Sequence, residues 1–326
     1  MKKILVTGGG GYVGSMLVPK LLNLGYHVDV VDLFIYGEDV LENHNNLTKI
    51  KLDIREIDKI KSILTGCNAV IHLACISNDP SFELNPSLGK SINLDAFEPL
   101  VKAAKEKKVS KFIYASSSSV YGIKSEKDVN EAMSLEPLTD YSIYKAECEK
   151  ILNKYSSNNF IVTTLRPATV CGYAKRQRLD VVLNIFTNIA YHNREISIFG
   201  GNQLRPNINI KDMVNAYLKL LETNDDLING EIFNVGDENL SVKELGILVK
   251  DIVGKDVKLS VTESNDNRSY HISSKKISEK LDFKLNSSLK DGISSLFKAL
   301  NENYLEDPMN NPKYYNIKTM QKINLK

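Results

Sequence analysis

Short β-branched runs alternate with helical patterns through the first half of the chain, and few folds accommodate that rhythm. Strands are expected over residues 3–7, 27–32, 50–54, 69–74, 111–116 and 160–166, and helices over 12–24, 56–64, 88–107 and 140–155. Alternation at this spacing implies parallel strands joined by crossover helices. Runs such as Ala69-Val70-Ile71-His72-Leu73-Ala74 are apolar at successive positions, as a sheet covered on both faces requires. The expected fold class is α/β, a doubly wound parallel sheet. Pro19 and Pro99 fall inside two of these helices. Each removes a backbone donor, so each kinks its helix or marks an end.

After Pro167 the alternation loosens. Helices are expected over 179–193, 211–222, 242–253 and 289–304, strands over 196–199 and 231–235, and a polar turn over 200–203. The segment from Glu306 is rich in Asn, Lys and Pro and reads as surface or partly disordered. A chain of 326 residues suits one large α/β domain or two lobes sharing a site. The expected division is a sheet domain over 1–170, completed by a strand from about 205–237, with a smaller α/β domain from 171–204 and 238–326.

The first strand runs into Thr7-Gly8-Gly9-Gly10-Gly11-Tyr12-Val13-Gly14, in which Gly8, Gly11 and Gly14 give a GxxGxxG spacing. The first glycine permits a tight turn, the second lets backbone approach a pyrophosphate, and the third lets the helix pack on the strand. The helix then presents free N–H groups and its positive end to phosphate. Asp32 ends the second strand, where a carboxylate can accept both hydroxyls of an adenosine ribose and would repel a 2′-phosphate. No Arg or Lys follows at 33–36, which favours NAD over NADP.

Tyr141 and Lys145 lie four apart at the start of a helix and share one face. An ammonium beside a phenol favours the phenolate and is expected to bring its pKa from about 10 towards neutrality, making a general base for an alcohol proton. Tyr144 points away from the lysine. Ala115-Ser116-Ser117-Ser118-Ser119-Val120-Tyr121-Gly122 follows the strand at 111–114, and its hydroxyls lie where ligands bind in such sheets.

Taken in order, the glycine turn, Asp32, the Ser-rich strand end and Tyr141-Ser142-Ile143-Tyr144-Lys145 resemble the extended short-chain dehydrogenase/reductases, in the NAD-dependent nucleotide-sugar epimerase/dehydratase branch of the UDP-galactose 4-epimerase type. The resemblance covers nearly the whole chain. It implies a Rossmann-type NAD-binding domain, a smaller C-terminal substrate-binding domain, and a homodimer formed through helices 88–107 and 140–155. It also implies a nucleotide-diphosphate sugar as substrate. By this similarity Ser117 is the catalytic hydroxyl and Tyr141 the base, while Lys145 tunes the base and holds the nicotinamide ribose. Gly8, Gly11, Tyr12, Val13, Gly14 and Asp32 would surround the dinucleotide, with Asp53 and Ile54 at its adenine. Leu73, Ala74, Asn93 and Pro167 would line its other end. On the substrate side stand Ser117, Ser118, Thr169 and Arg178. Arg205, in Arg205-Pro206-Asn207-Ile208-Asn209-Ile210-Lys211-Asp212, would grip the pyrophosphate, with Arg268 as a second arginine.

Three departures sharpen the expectation. The 4,6-dehydratases carry Asp-Glu where this chain has Ser118 and Ser119, so an acid to expel a C6 hydroxyl is missing there. Many epimerases have Asn at the position of Thr169. The loop Lys175-Arg176-Gln177-Arg178 is unusually basic, and Arg176 or Arg178 is expected to add to the grip on a diphosphate. The expected activity is 4-epimerisation through a transient 4-keto sugar. The alternative is a 4-dehydrogenase or 4-keto-reductase on a deoxy- or heptose-type sugar with the same site. A dehydratase or a non-catalytic NAD sensor ranks behind both.

Lys+Arg at 42 against Asp+Glu at 40 leaves a formal charge of +2, which argues against a nucleic-acid partner held by bulk charge. No apolar run approaches the roughly 18–20 residues of a membrane span. Ile4-Leu5-Val6, behind Met1-Lys2-Lys3, is far shorter than the about 7–15 apolar residues of a signal peptide, so a cytoplasmic location is expected. Cys67, Cys75, Cys148 and Cys171 form no CxxC pair and read as reduced thiols. The histidines His27, His44, His72, His192 and His271 are scattered, and no metal is expected.

Overall fold

The structure, a computed structural model, describes residues 2–263 and 269–323. The first half comprises β1 (Lys3–Thr7), α1 (Gly14–Asn23), β2 (His27–Asp32), β3 (Leu47–Lys51), α2 (Ile57–Ile63), β4 (Ala69–His72), α3 (Asp79–Glu83), α4 (Pro86–Lys90), α5 (Phe97–Glu106), β5 (Lys111–Ala115), α6 (Asp140–Lys154) and β6 (Ile161–Pro167). The second comprises β7 (Thr169–Cys171), α7 (Val182–Asn193), β8 (Glu195–Phe199), β9 (Leu204–Asn209), α8 (Ile210–Glu222), α9 (Asp225–Ile228), β10 (Glu231–Val235), β11 (Asn239–Ser241), α10 (Val242–Val253), β12 (Lys258–Thr262), α11 (Lys275–Leu281), α12 (Leu289–Asn301) and α13 (Asn316–Ile323).

Seven parallel strands form the main sheet in the order β10-β6-β5-β4-β1-β2-β3. Successive residues of β1 serve opposite faces. Ile4 and Val6 pack with Leu17, Leu21 and Tyr217 of α1 and α8, whereas Leu5 packs with Ile60, Leu100 and Val101 of α2 and α5. Both faces are therefore dry, which accounts for the uninterrupted apolar runs. The chain leaves β1 in one direction and β4 in the other, so a crevice opens above their carboxyl ends. β10 is drawn from the second half to close the sheet beside β6. The other strands form two small sheets, β11-β9-β7 and β12-β8. A separate core of Leu183, Ile196, Ile198, Leu245, Val249 and Ile293 lies between α7, α10 and α12.

Several elements differ from the sequence reading. The third strand lies at Leu47–Lys51 rather than 50–54, because it pairs only with β2 and ends where Asp32 does, at Lys51. The helix expected over 88–107 is three pieces, α4, a π turn over Ser91–Asp95, and α5. Pro99 cannot donate to Asp95, and the turn before it widens so that Ala96 N–H reaches Ser91 O at 3.1 Å. Helix α1, by contrast, runs through Pro19. The segment from Glu306 to Ile323 is not purely superficial. It forms a 3₁₀ turn at Pro312–Tyr314 and then α13, with Tyr314 buried against Leu179, Leu296 and Leu300.

Candidate active site

A cleft of about 560 Å³ lies above the carboxyl ends of the central strands. β1 enters it through Gly8, whose φ of +73° is open to glycine. A Cβ at Gly8 would stand 2.5 Å from the Ala74 backbone nitrogen, so the β1 and β4 loops touch backbone to backbone. Gly14 lies against the backbone of Gly9 in the same way and seats α1 on the turn. Asp32 is fixed at the end of β2, with Oδ2 accepting Gly10 N–H at 2.9 Å and Oδ1 accepting Phe34 N–H at 2.7 Å. Burial nevertheless pushes its carboxyl above the ordinary value.

The polar wall opposite comes from β5, α6 and their loops. Ser117 caps a short 3₁₀ turn, accepting Ser119 N–H at 3.1 Å, and its hydroxyl lies 2.8 Å from that of Ser119. Thr139 caps α6 in a box with Ser142 and donates its hydroxyl to Asp79 Oδ1 at 2.5 Å. That cap sets the start of the helix that carries Tyr141 and Lys145. Tyr121 turns away from the cleft into a buried cluster with Arg166 and Asn234.

Gly8, Gly11, Tyr12, Val13, Gly14, Asp32, Asp53, Ile54, Leu73, Ala74, Ser117, Ser118, Tyr141, Lys145, Pro167, Thr169, Arg178 and Arg205 all line this one cleft. One of the expected residues does not. Asn93 sits behind the wall in the π turn and holds Ile76 through both backbone groups at 2.9 Å, so it shapes the cleft indirectly. Arg268 lies outside the described residues. Tyr12 also ties the halves of the chain together, donating to Gly172 O at 2.5 Å and accepting from Asn184 at 3.0 Å.

The tuning expected of Lys145 takes a different form. Its ammonium donates to Ala115 O at 2.6 Å and lies 5.8 Å from the centre of the Tyr141 ring. The Tyr141 phenol is pushed up rather than down, first by loss of solvation and then by charge on Cys75 and Asp79. Arg178 and a hydrogen bond with Ser117 pull it back. The basic loop divides accordingly. Lys175 is exposed and pairs with Glu42 at 2.9 Å. Arg178 bonds Asp180 at 2.6 Å and Ser77 at 3.3 Å with its charge felt at Tyr141. Arg176 is buried at the opposite end, beside Tyr36.

Sequence reasoning missed Asp79, Asp180 and Asn316, all of which line the cleft. Asn78-Asp79-Pro80 carries a helix-start signal immediately after β4, which was available for Asp79. No local pattern marks Asn316.

The family model described as the NAD dependent epimerase/dehydratase family matches residues 4–236. An uncharacterized UDP-glucose epimerase of Bacillus subtilis (strain 168) is 32% identical over 320 residues, covering 93% of this chain and 99% of that protein. The dTDP-D-glucose 4,6-dehydratase of Homo sapiens is 30% identical over 267 residues, covering 77% and 75%. Among solved structures, the UDP-glucose 4-epimerase of Thermotoga maritima with UDP-glucose superposes with a TM-score of 0.83 at 28% identity, covering 93% of this chain and all of that one.

Proposed function

We propose that this chain, which belongs to the NAD-dependent epimerase/dehydratase family, is a nucleotide-sugar 4-epimerase working through a 4-keto sugar. One observation carries the reading. Ser117, Tyr141 and Lys145, from two separate stretches of chain, line a single cleft with Asp32, while positions 118 and 119 are serines.

The residues present fit NAD. The glycine turn leaves space only for backbone beside Ala74, and Asp32 stands fixed where an adenosine ribose is bound in such folds. When bound, NAD supplies the hydride acceptor and donor that the side chains lack. Tyr141 Oη removes the proton of the C4 hydroxyl and returns it after the sugar has turned. Ser117 Oγ holds the reacting oxygen. Lys145, anchored on Ala115, keeps a positive charge under the site. Arg178 stabilises the phenolate as it forms, and Arg205 lies on the substrate side, where a diphosphate would pass. Besides Asp32 and Asp53 the cleft contains two acids, Asp79 and Asp180, but Thr139 donates to Asp79, which anchors the cap of α6, and Asp180 pairs with Arg178, positioning roles rather than that of an acid for a leaving hydroxyl.

The test is incubation of the purified chain with UDP- and dTDP-sugars without added cofactor, read by NMR. The 4-epimer is expected to accumulate, and Tyr141→Phe to lower the rate by about 10²–10⁴-fold. Stoichiometric NADH formation would replace this reading with a dehydrogenase, and a 4-keto-6-deoxy product with a dehydratase.

A further inference from the structure

Arg176 is one of the most enclosed cations in the chain, 3% exposed, yet its Nε has no hydrogen-bond partner among the described residues. Its guanidinium carbon lies over the Tyr36 ring, 3.6 Å from the ring centre, on the wall of the cleft near Asp32. Burial depresses its pKa, the mark of a cation short of counter-charge. A buried guanidinium with an unused donor costs stability unless an acceptor completes it. Its place beside the residues that follow β2 puts that acceptor on the adenosine side of the cleft, away from the sugar.

Asn316, the first residue of α13, holds Arg176 there. Its Oδ1 accepts from Arg176 Nη2 at 2.5 Å and from the Tyr36 hydroxyl at 2.9 Å. Its Nδ2 donates to Ser77 Oγ at 2.8 Å, and its backbone N–H to Asp180 Oδ2 at 2.7 Å. One residue thus joins the loop after β2, the loop after β4 and the loop after β7. Tyr314 and the Leu179 N–H to Tyr314 O bond at 2.8 Å fasten the segment from behind, and Met320 adds to the cleft wall.

We propose that Arg176, presented by Asn316, donates to an oxygen of the ADP half of the bound dinucleotide, and that residues 312–323 form a clasp that retards its release. The inference rests on the NAD reading above. A 4-epimerase must keep the same reduced cofactor until hydride returns, and a slow-opening clasp built from the C-terminal segment prevents its loss in mid-reaction.

The experiment uses the full chain with its retained cofactor reduced in place, and follows loss of NADH fluorescence during a chase with excess ADP. Arg176→Gln and Asn316→Ala are each expected to release NADH about tenfold faster or more, the loss that one charge-assisted hydrogen bond carries. Asn316→Asp keeps both acceptor bonds and is expected to stay close to the unaltered rate. Release at the unaltered rate from both Arg176→Gln and Asn316→Ala overturns the proposal, as does equally fast release from Asn316→Asp and Asn316→Ala. An unaltered chain that retains no dinucleotide defeats the NAD reading itself, and that failure is distinct because no substitution is involved.

Discussion

Replacing Glu149 by Gln tests how the catalytic helix is held. Glu149 follows Lys145 by one helical turn, so the residues share a face of α6. Both Glu149 and Arg166 are under 5% exposed. Arg166 Nε donates to Oε1 at 3.0 Å and Nη2 to Oε2 at 2.6 Å, while Nη1 donates to the Tyr121 hydroxyl at 2.7 Å. The Ser116 hydroxyl donates to the same carboxylate. Glutamine keeps the shape and loses the charge, leaving a desolvated guanidinium with no counter-ion, at a cost of about 3–5 kcal/mol. Unfolding entropy of about 2.1 cal/mol/K per residue gives about 0.7 kcal/mol/K for a chain of 326 residues. The expected fall in Tm is therefore about 4–7 °C by scanning calorimetry. The double variant Glu149→Leu with Arg166→Met removes both charges together and should lose less than Glu149→Gln alone. A Glu149→Gln protein melting within about 1 °C of the parent would refute the reasoning, because the pair would then have contributed almost nothing against the calculated loss.

Two further outcomes concern protons. Burial, then charge on Cys75 and Asp79, raises the Tyr141 phenol above its ordinary value of about 10, so kcat is expected still to be climbing as pH rises through the alkaline range, and Asp79→Asn, which removes a like charge, moves that limb to lower pH; a limb that stays put or moves up contradicts the assignment. His72 is buried, hydrogen-bonded to the Thr7 hydroxyl at 2.7 Å, and burial depresses its pKa from 6.5 to about 3. The unfolded chain then binds the extra proton throughout that window, so stability is complete above about pH 6.5 and falls on acidification towards pH 3, by up to about 1.4 kcal/mol per pH unit. In urea melts between pH 6 and 4, His72→Gln should flatten this fall, and an unchanged slope would rule it out.

What could be read from the sequence was whatever the chain requires of near neighbours. The turn after β1 needs glycine because two loops meet backbone to backbone, and a strand end that accepts Gly10 and Phe34 N–H needs a short carboxylate. β9 was hidden because Leu204-Arg205-Pro206-Asn207-Ile208-Asn209 mixes charge, proline and amides, a pattern that reads as loop. The strand persists because it pairs along short stretches with β7 and β11 and buries Asn207 and Asn209 with bonds to Arg205 O and Ser288 O. The C-terminal segment failed for the same reason. Its polar composition predicts exposure, but Asn310, Asn311 and Asn316 are all hydrogen-bonded, and Asn316 meets Tyr36 across 280 positions of chain. The Tyr141–Lys145 spacing shows the wider limit. Helical geometry puts two side chains on one face, but it does not say which acceptor the ammonium chooses. Here Ala115 O takes it, and the groups acting on the phenol come from elsewhere: Cys75 and Asp79 after β4, Arg178 after β7. The acidity of the base is therefore a tertiary property. A substitution in the loop at 175–178, far from Tyr141 in sequence, should change the chemistry more than one at its helical neighbour Tyr144, whose ring packs on Phe82 at 5.6 Å.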